Sequence, residues 1–332
     1  MAYEPQPTYL RHLLLSSNKQ TTFGTALADA NMTYRSRFDG GGMWVRTAKE
    51  YFSDAERAGK GHPWPTVRQQ IAIDTTFGGQ FDLDDFLAGF LPAFLLHKVV
   101  TSGVGPYTHT FTFDPTTTRI APVTTVYAED LAAQQIKYPD VVLTSLTISG
   151  AEKGPLQVSF EAIGSGKRAT DPVTLPALPT PVYLIGNDTD ILIGAPAAAA
   201  SIKERVRGWS LTFVNGVVMH RAPGGGLYPT FAKIGLPRVS VQLSVAAKDT
   251  EDIETLFIND TLQELQINTN SGAAAQLNLK LLNLRFIAEP AAEGMEKIWN
   301  LSADGGRDVT KGAGNYVEAV AINSQATYLV AA

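Results

Sequence analysis

The sequence predicts a mainly β fold of the α+β class, built as two tandem β-sandwich-like or barrel-like domains, each with a short flanking helix. Three observations support this prediction. Apolar residues recur at every second position in several segments, as in strands with one buried face. A strand-and-helix pattern occurs twice, and a hairpin-like pattern also occurs twice. The length of 332 residues is sufficient for two domains.

The first repeated pattern begins at Arg68 as RQQIAIDTTFGGQFDLDDFL and, 170 residues later, at Arg238 as RVSVQLSVAAKDTEDIETLF. Apolar side chains alternate at the start of each copy, which predicts a strand. Acidic residues at 82–85 and 252–254 then precede a change to helical spacing, and acids are favoured in the first turn of a helix. Each copy therefore predicts a strand, a turn and a short helix.

Two further matches follow the same order in both halves. Glycine triplets lie at 40–42 and 224–226, which are 184 residues apart, so the first half holds 14 extra residues before its strand. The extra segment, 47–61, is charged and free of proline, and it predicts an exposed helix. Hairpin-like pairs of strands begin at Ser145 and Asn283. The three matches together predict a tandem duplication of a strand, strand, helix, strand, strand unit.

The duplication and the composition of the connecting segments divide the chain into five parts. Two of the parts are the predicted domains, and a segment rich in proline and alanine connects them. The parts are an N-terminal arm (1–30), a first domain (31–168) with the insertion 47–61, a linker (169–202), a second domain (203–305) and a C-terminal arm (306–332) that ends in a strand.

Composition excludes several functional classes. The chain has no cysteine, so disulfide frameworks, thiolate metal sites and cysteine nucleophiles are excluded. Its net charge is −5 and its basic residues form only slight clusters, which disfavours tight binding of nucleic acid. The N-terminus does not resemble a secretory signal, and the longest apolar stretch, 86–96, is too short to cross a membrane.

No motif in the sequence predicts a catalytic, cofactor or metal site. The segment IGSGKR at 163–168 lacks the first glycine and the final Ser or Thr of a phosphate loop. The five histidines share no metal-ligand spacing, and His109 is expected to be a cross-strand or interface residue. Asp82, Asp84 and Asp85 are explained by a helix start. We therefore expect a protein that is not an enzyme and that needs no cofactor.

Several segments resemble the tail tube proteins, or major tail proteins, of tailed bacteriophages, in the group with two tube domains in one chain. The resemblance covers about Thr21 to Asp304. It rests on strand, turn and aromatic patterns and not on invariant functional residues. The segments that carry it are GPYTHTFTFDP, SLTISGAEKGPLQVSFEAIGSGKR, WSLTFVNGVV and RVSVQLSVAAKD.

The resemblance implies a structural virion protein that forms rings, which stack into the hollow tail tube through which DNA is ejected. Because relatives place one domain per position in a sixfold ring, two domains per chain imply a homotrimer with pseudo-sixfold symmetry. Implied partners are the tape measure protein and DNA in the lumen, without tight binding, and the tail terminator and baseplate or tip proteins at the tube ends. The implied location is the virion tail, assembled in the host cytoplasm without a membrane.

A conduit for DNA needs a lumen that does not hold phosphates, and a lumen of Ser, Gln, Thr and a few acids on two predicted strands fits this need. The residues predicted to face the lumen are Gln157, Ser159, Glu161, Ser240, Gln242 and Ser244. The alternative that each of them faces the outer solvent or a neighbouring subunit remains open, because sequence alone does not show which way the polar face of a sheet points. We also expect at least one terminal arm to bridge successive rings.

Three other functions remain open at this stage. A tail terminator, tail completion or baseplate ring protein of the same fold would stop at one ring. A carbohydrate-binding β-sandwich would be expected to show a signal peptide and exposed aromatic clusters. An enzyme would need a constellation of reactive residues that the sequence does not show.

Overall fold

The structure is a computed structural model, and it confirms the mainly β class. Strands account for most of its regular structure, with one α-helix among the described residues. The residues that it describes are 10–36, 44–53, 68–113, 123–130, 134–151, 153–170, 174–195, 198–223, 226–235, 238–246, 262–293, 296–305 and 317–331.

The regular elements follow one another in chain order and divide between the two halves. Those of the first half are β1 (Leu10–Leu15), β2 (Tyr34–Ser36), β3 (Trp44–Ser53), β4 (Arg68–Asp82), α1 (Asp85–Leu96), β5 (His97–Ser102), β6 (Tyr107–Phe113), β7 (Thr124–Asp130), β8 (Gln134–Ala151) and β9 (Gln157–Gly164). Those of the second half are β10 (Thr189–Gly194), β11 (Ala200–Ser201), β12 (Val206–Val214), β13 (Val217–His220), β14 (Phe231–Ile234), β15 (Arg238–Ala246), β16 (Gln263–Asn270), β17 (Gln276–Glu293), β18 (Glu296–Gly305) and β19 (Val317–Asn323).

Eight strands form one continuous antiparallel run, in the order β3-β4-β9-β8-β12-β15-β18-β17. The first four come from the first half and the last four from the second half. The halves join where β8 pairs with β12, from Ser145 opposite Val214 to Ala151 opposite Gly208. We call this run the long sheet.

The remaining ladders form a second layer, and the two longest strands connect the layers. The first part of β8 pairs with β7, and β7 pairs with β1. The first part of β17 pairs with β16 on one side and β19 on the other, and β19 pairs with β6. Each long strand has a left-handed residue where it passes from one layer to the other, Asp140 (φ 64°) and Asn283 (φ 59°). These equivalent kinks lie 143 positions apart.

The pairing order is repeated in the two halves, as the duplication predicts. Strands β1, β2, β3, β4, β7, β8 and β9 correspond in their partners to β10, β11, β12, β15, β16, β17 and β18. The β4–β9 ladder ends with Thr75 opposite Gly164, and the β15–β18 ladder ends with Val239 opposite Gly305. Matching these ends gives a spacing of 164 between β4 and β15. The sequence alignment of Arg68 with Arg238, at a spacing of 170, is therefore out of register by six residues. Because six is an even number, it still aligns core-facing residues of β4 with core-facing residues of β15.

Helix α1 lies in the interior, and its sequence explains both ends. Asp84 is the N-cap, and its side chain accepts a hydrogen bond from the Leu87 N–H at 2.8 Å. His97 ends the helix in a left-handed conformation (φ 71°). Every residue from Phe86 to Leu96 is buried, which is expected of a helix that is apolar on all sides. The predicted helix start at 82–85 is confirmed, whereas its predicted counterpart at 252–257 lies outside the described residues.

The predicted exposed helix at 47–61 is wrong for residues 47–53, which belong to strand β3 and pair along their length with β4. Pairing with a neighbouring strand overrides the helix propensity of this charged segment. In the described part of the chain β3 pairs with β4 alone, and charged residues are common on such edge strands. Residues 54–61 and the first glycine triplet lie outside the described residues.

The two terminal segments are more closely integrated than the predicted arms. Strand β1 pairs with β2 and β7, and its residues Leu13, Leu14 and Leu15 are buried. Strand β19 lies between β6 and β17. Beyond it, Tyr328 is buried against α1, and its hydroxyl donates a hydrogen bond to the Phe86 carbonyl. Residues 10–15 and 317–331 are therefore parts of the fold.

Candidate functional site

The six residues predicted to line a lumen lie on one face of the long sheet. On β9, Gln157, Ser159 and Glu161 alternate with buried apolar residues, and β15 repeats this arrangement. The residues of the second set are Ser240, Gln242 and Ser244. The predicted alternation is confirmed, and the six positions are brought onto a common surface. We call this surface the polar face.

Cross-strand register connects the two sets through the joint between the halves. Ser159 is opposite Thr147, Thr147 is opposite Thr212, and Thr212 is opposite Ser240. The hydroxyl oxygens of Thr147 and Thr212 are 3.0 Å apart and share a hydrogen bond. A row of small neutral side chains therefore crosses from one half of the chain to the other without a break.

Further members of the polar face were not among the predicted residues. On β18, exposed Asn300 and Ser302 alternate with buried Trp299, Leu301 and Ala303, a two-residue alternation that is visible in the sequence. A shallow depression of about 530 Å³ lies on this part of the sheet. Its polar lining includes Ser210, Gln242, Ser244, Asn300 and Ser302.

The polar face carries little positive charge for a surface of this size. Among the residues whose side chains the structure describes, the carboxylates on this face are Asp82, Glu161, Glu289 and Asp304, and the cations are Arg238 and Arg285. The backbone register also places Arg46, opposite Thr76, on this side of the sheet. Asp82 accepts a hydrogen bond from the Gln157 side chain. Because affinity for nucleic acid grows with each phosphate that a cation neutralises, the described part of this surface is not suited to tight binding of nucleic acid.

Buried His109 is held by two hydrogen bonds that give it a structural role. His109 donates from Nε2 to the Gln325 carbonyl at 2.8 Å, so its Nδ1 accepts from the Thr101 hydroxyl at 2.9 Å. Burial lowers the pKa of His109. The expectation of a cross-strand role is confirmed, because His109 faces Thr101 across the β5–β6 ladder. No group of three or more His, Asp or Glu side chains suited to a metal occurs among the described residues.

Asp84, the N-cap of α1, is a buried ionisable group with an altered pKa. Burial raises its pKa to about 6, while hydrogen bonds from the Leu87 N–H and the Tyr34 hydroxyl act in the opposite direction. Burial also raises the pKa of Tyr34, whose ring stacks on Phe86 at a centroid distance of 3.9 Å. This cluster begins a helix and fixes β2 against it, which is a structural role.

Comparison with known proteins decides the family. A sequence profile described as phage tail tube protein matches residues 12–314. The chain belongs to the phage tail tube protein family. The resemblance drawn from the sequence is thus confirmed. No curated protein matches the chain.

Membership gives the general function of this tail tube protein. Tail tube proteins are structural components of the virion tail, and the family implies self-assembly into a tube. None of the described helices combines the length and the apolar character needed to cross a membrane.

The long sheet of this tail tube protein has two edges that are suited to self-assembly. In the described part of the chain, β3 has a partner only in β4, and residues 287–293 of β17 have a partner strand only in β18. Ile287 is 65% exposed on this second edge. Unpaired edge strands with exposed apolar residues are sites at which another chain can add strands.

Proposed function

We propose that three copies of this chain form a pseudo-sixfold ring, and that rings stack into the hollow tail tube that conducts DNA into the host. The observation that carries this proposal is the long sheet, to which each half contributes four strands. The antiparallel pairing of β8 with β12 within the chain provides the template for strand pairing between neighbouring chains.

The internal repeat specifies which edges meet. Strand β17 corresponds to β8 and β3 corresponds to β12, so residues 287–293 of one copy should pair with β3 of the next as 145–151 pair with β12. Three copies of eight strands then close a 24-stranded barrel without unpaired edges. The two halves should superpose with a rotation close to one sixth of a turn about the tube axis.

The dimensions of such a barrel suit a conduit. Strands about 4.8 Å apart and tilted by about 40° give a backbone diameter of roughly 50 Å for 24 strands, and about 40 Å between side chains. The polar face, including Gln157, Ser159, Glu161, Ser240, Gln242 and Ser244, would line this space. DNA and the tape measure protein would pass along it without tight binding.

The remaining partners and the place of assembly belong to the same proposal. The tail terminator and the baseplate or tip proteins would contact the two ends of the tube, where the last rings are uncovered. Rings would assemble in the host cytoplasm and act in the virion, and their function requires no catalysis. A bridging role for a terminal segment is now confined to residues outside the integrated strands β1 and β19.

Electron microscopy of the purified protein tests the proposal. We expect hollow tubes in negative stain and rings of three copies by native mass measurement. Single rings that never stack would favour a tail terminator, tail completion or baseplate protein of the same fold. Monomers at every concentration, with no tubes or rings, would refute both.

A further inference from the structure

Two hairpins interrupt the repeated pairing order, each in one half. The β5–β6 hairpin follows α1 in the first half, and the β13–β14 hairpin separates β12 from β15 in the second. In the described part of the chain neither hairpin has a counterpart in the other half. A ring of three copies would therefore carry three of each, whereas the elements of the repeat would occur six times.

Helix α1 shows that the tip of β5–β6 and the base of β13–β14 are at opposite ends of the subunit. At its C-terminus, the Leu95 carbonyl accepts a hydrogen bond from the Asn215 side chain at 3.1 Å, and β13 starts two residues after Asn215. At its N-terminus, the Asp85 carbonyl accepts from Asn323 at 2.8 Å, and Asn323 is opposite Tyr107 beside the tip of β5–β6. The ten residues of helix between the Asp85 and Leu95 carbonyls separate these points by about 15 Å.

The long sheet relates these two ends to the openings of the proposed ring. The N–H of Leu83, just before α1, bonds to the Leu156 carbonyl, where β9 begins. At the other end, the N–H of Asn215, just after β12, bonds to the Thr144 carbonyl. Helix α1 thus runs from one set of strand ends to the other. Because strand ends form the rims of a barrel, the tip of β5–β6 approaches one rim and the base of β13–β14 lies near the opposite rim.

Both hairpins expose apolar side chains. The tip of β5–β6, residues 103–106, is uncharged, with Val104 96% exposed, and Val100 on β5 is 59% exposed. On β13–β14, Val218 and Phe231 are 55% and 40% exposed. The Phe231 ring stacks on His220 at a centroid distance of 4.7 Å and so presents a firm, flat surface.

We propose that the β5–β6 tip of one subunit docks on the exposed face of β13–β14 of a subunit in the next ring. This inference rests on the proposed function, and it specifies the contact by which rings stack. A contact between different surfaces at opposite ends propagates without limit, as growth of a tube requires. Three such contacts per interface restrict the rotation between adjacent rings to settings that obey threefold symmetry, although the lumen is pseudo-sixfold.

Cysteine cross-linking tests the contact directly, because the chain has no cysteine. Val104→Cys and Val218→Cys are prepared as separate proteins, mixed, assembled and oxidised. A disulfide requires Cα atoms within about 7 Å, so the docked hairpins should give a covalent dimer on a non-reducing gel. The double variant Val104→Cys/Val218→Cys should give a ladder of longer products. A mixture of Val104→Cys with Leu178→Cys, at a comparably exposed site, is the control and should give neither.

A charge at the tip provides a second measurement. Val104→Asp should leave three-copy rings intact, since the side chain is almost fully exposed in the subunit, and should abolish tubes that pellet on centrifugation. If the unmodified chain forms tubes but the assembled Val104→Cys and Val218→Cys mixture gives no disulfide, or if Val104→Asp forms normal tubes, the hairpin contact alone is overturned. Failure of the unmodified chain to form rings or tubes would instead refute the proposed function, and this inference with it.

Discussion

Replacement of Asp84 by Asn should stabilise the subunit at neutral pH and remove a pH dependence. Burial raises the pKa of this carboxyl from 3.8 to about 6, a difference of about two units. At 1.36 kcal/mol per unit, ionising Asp84 in the fold therefore costs about 3 kcal/mol. Asn is neutral, is also a preferred N-cap residue, and keeps partners for the Leu87 N–H and the Tyr34 hydroxyl.

The sign follows from proton binding. Between pH 3.8 and about 6 the folded state keeps the Asp84 proton more readily than the unfolded chain, so this group's stabilising contribution is complete below that window and is lost as pH rises through it. Asp84→Asn should match the wild-type stability near pH 4 and exceed it by up to about 3 kcal/mol at pH 7.

Urea unfolding of the isolated subunit at several pH values between 4 and 8 measures this difference. Other titrating groups cancel when the variant is subtracted from the wild type, so the difference reports Asp84. Asp82→Asn, two residues earlier on the polar face, is the matched control and should show no comparable rise. A difference that is constant with pH, or a variant less stable at pH 7 than at pH 4 relative to wild type, would refute the reasoning.

Three further changes test other parts of the structure. Gly89→Ala should lower the free energy of unfolding by about 1–3 kcal/mol, because its Cβ would lie 2.4 Å from the Tyr328 ring, and Tyr328→Leu in the same chain should restore part of the loss in urea unfolding. Asp140→Ala should lower the thermal midpoint far more than Asp140→Asn, since the buried carboxylate accepts hydrogen bonds from three groups and Ala is disfavoured at φ 64°. Tubes carrying Ser159→Lys and Gln242→Lys should co-sediment with duplex DNA at about 50 mM salt and release it near 200 mM, whereas unmodified tubes should not bind DNA. If the variant tubes also fail to bind DNA, that result would argue against a lumen position for these residues.

Local patterns in the sequence were sufficient to predict strands with one buried face. On β9 and β15 the apolar and polar residues alternate strictly, because one side of the sheet meets the core and the other does not. The same alternation placed the six candidate residues on one surface. Whether that surface faces the lumen or the outside depends on contacts between subunits, which the sequence of one chain does not show.

Strand pairing was the part that local patterns could not supply. Segment 47–53 has the composition of an exposed helix, but hydrogen bonds to β4 make it an edge strand. The strand at the C-terminus was expected, but its position was not. Its partners in β17 are more than 35 positions away in the chain, and its partners in β6 are more than 200 positions away. At the N-terminus, the only local signal for β1 was the leucine run at 13–15. Deleting residues 1–30 would remove this strand, so deletion of residues 1–9 is the sharper test of a bridging arm.

The fusion of two units in one chain explains why the subunit combines a repeated sheet with elements that are not repeated. The joint between β8 and β12 forms within the chain and costs no association entropy, so half of the six joints in the proposed ring would be present before assembly. Once two units are covalently linked, each can acquire its own hairpin without placing it at all six positions. Strands β5–β6 and β13–β14 occupy such positions, outside the eight strands that would form the proposed barrel. In the proposed tube, the polar face would therefore remain nearly sixfold around the lumen, while the rims, where one ring contacts the next, would be threefold.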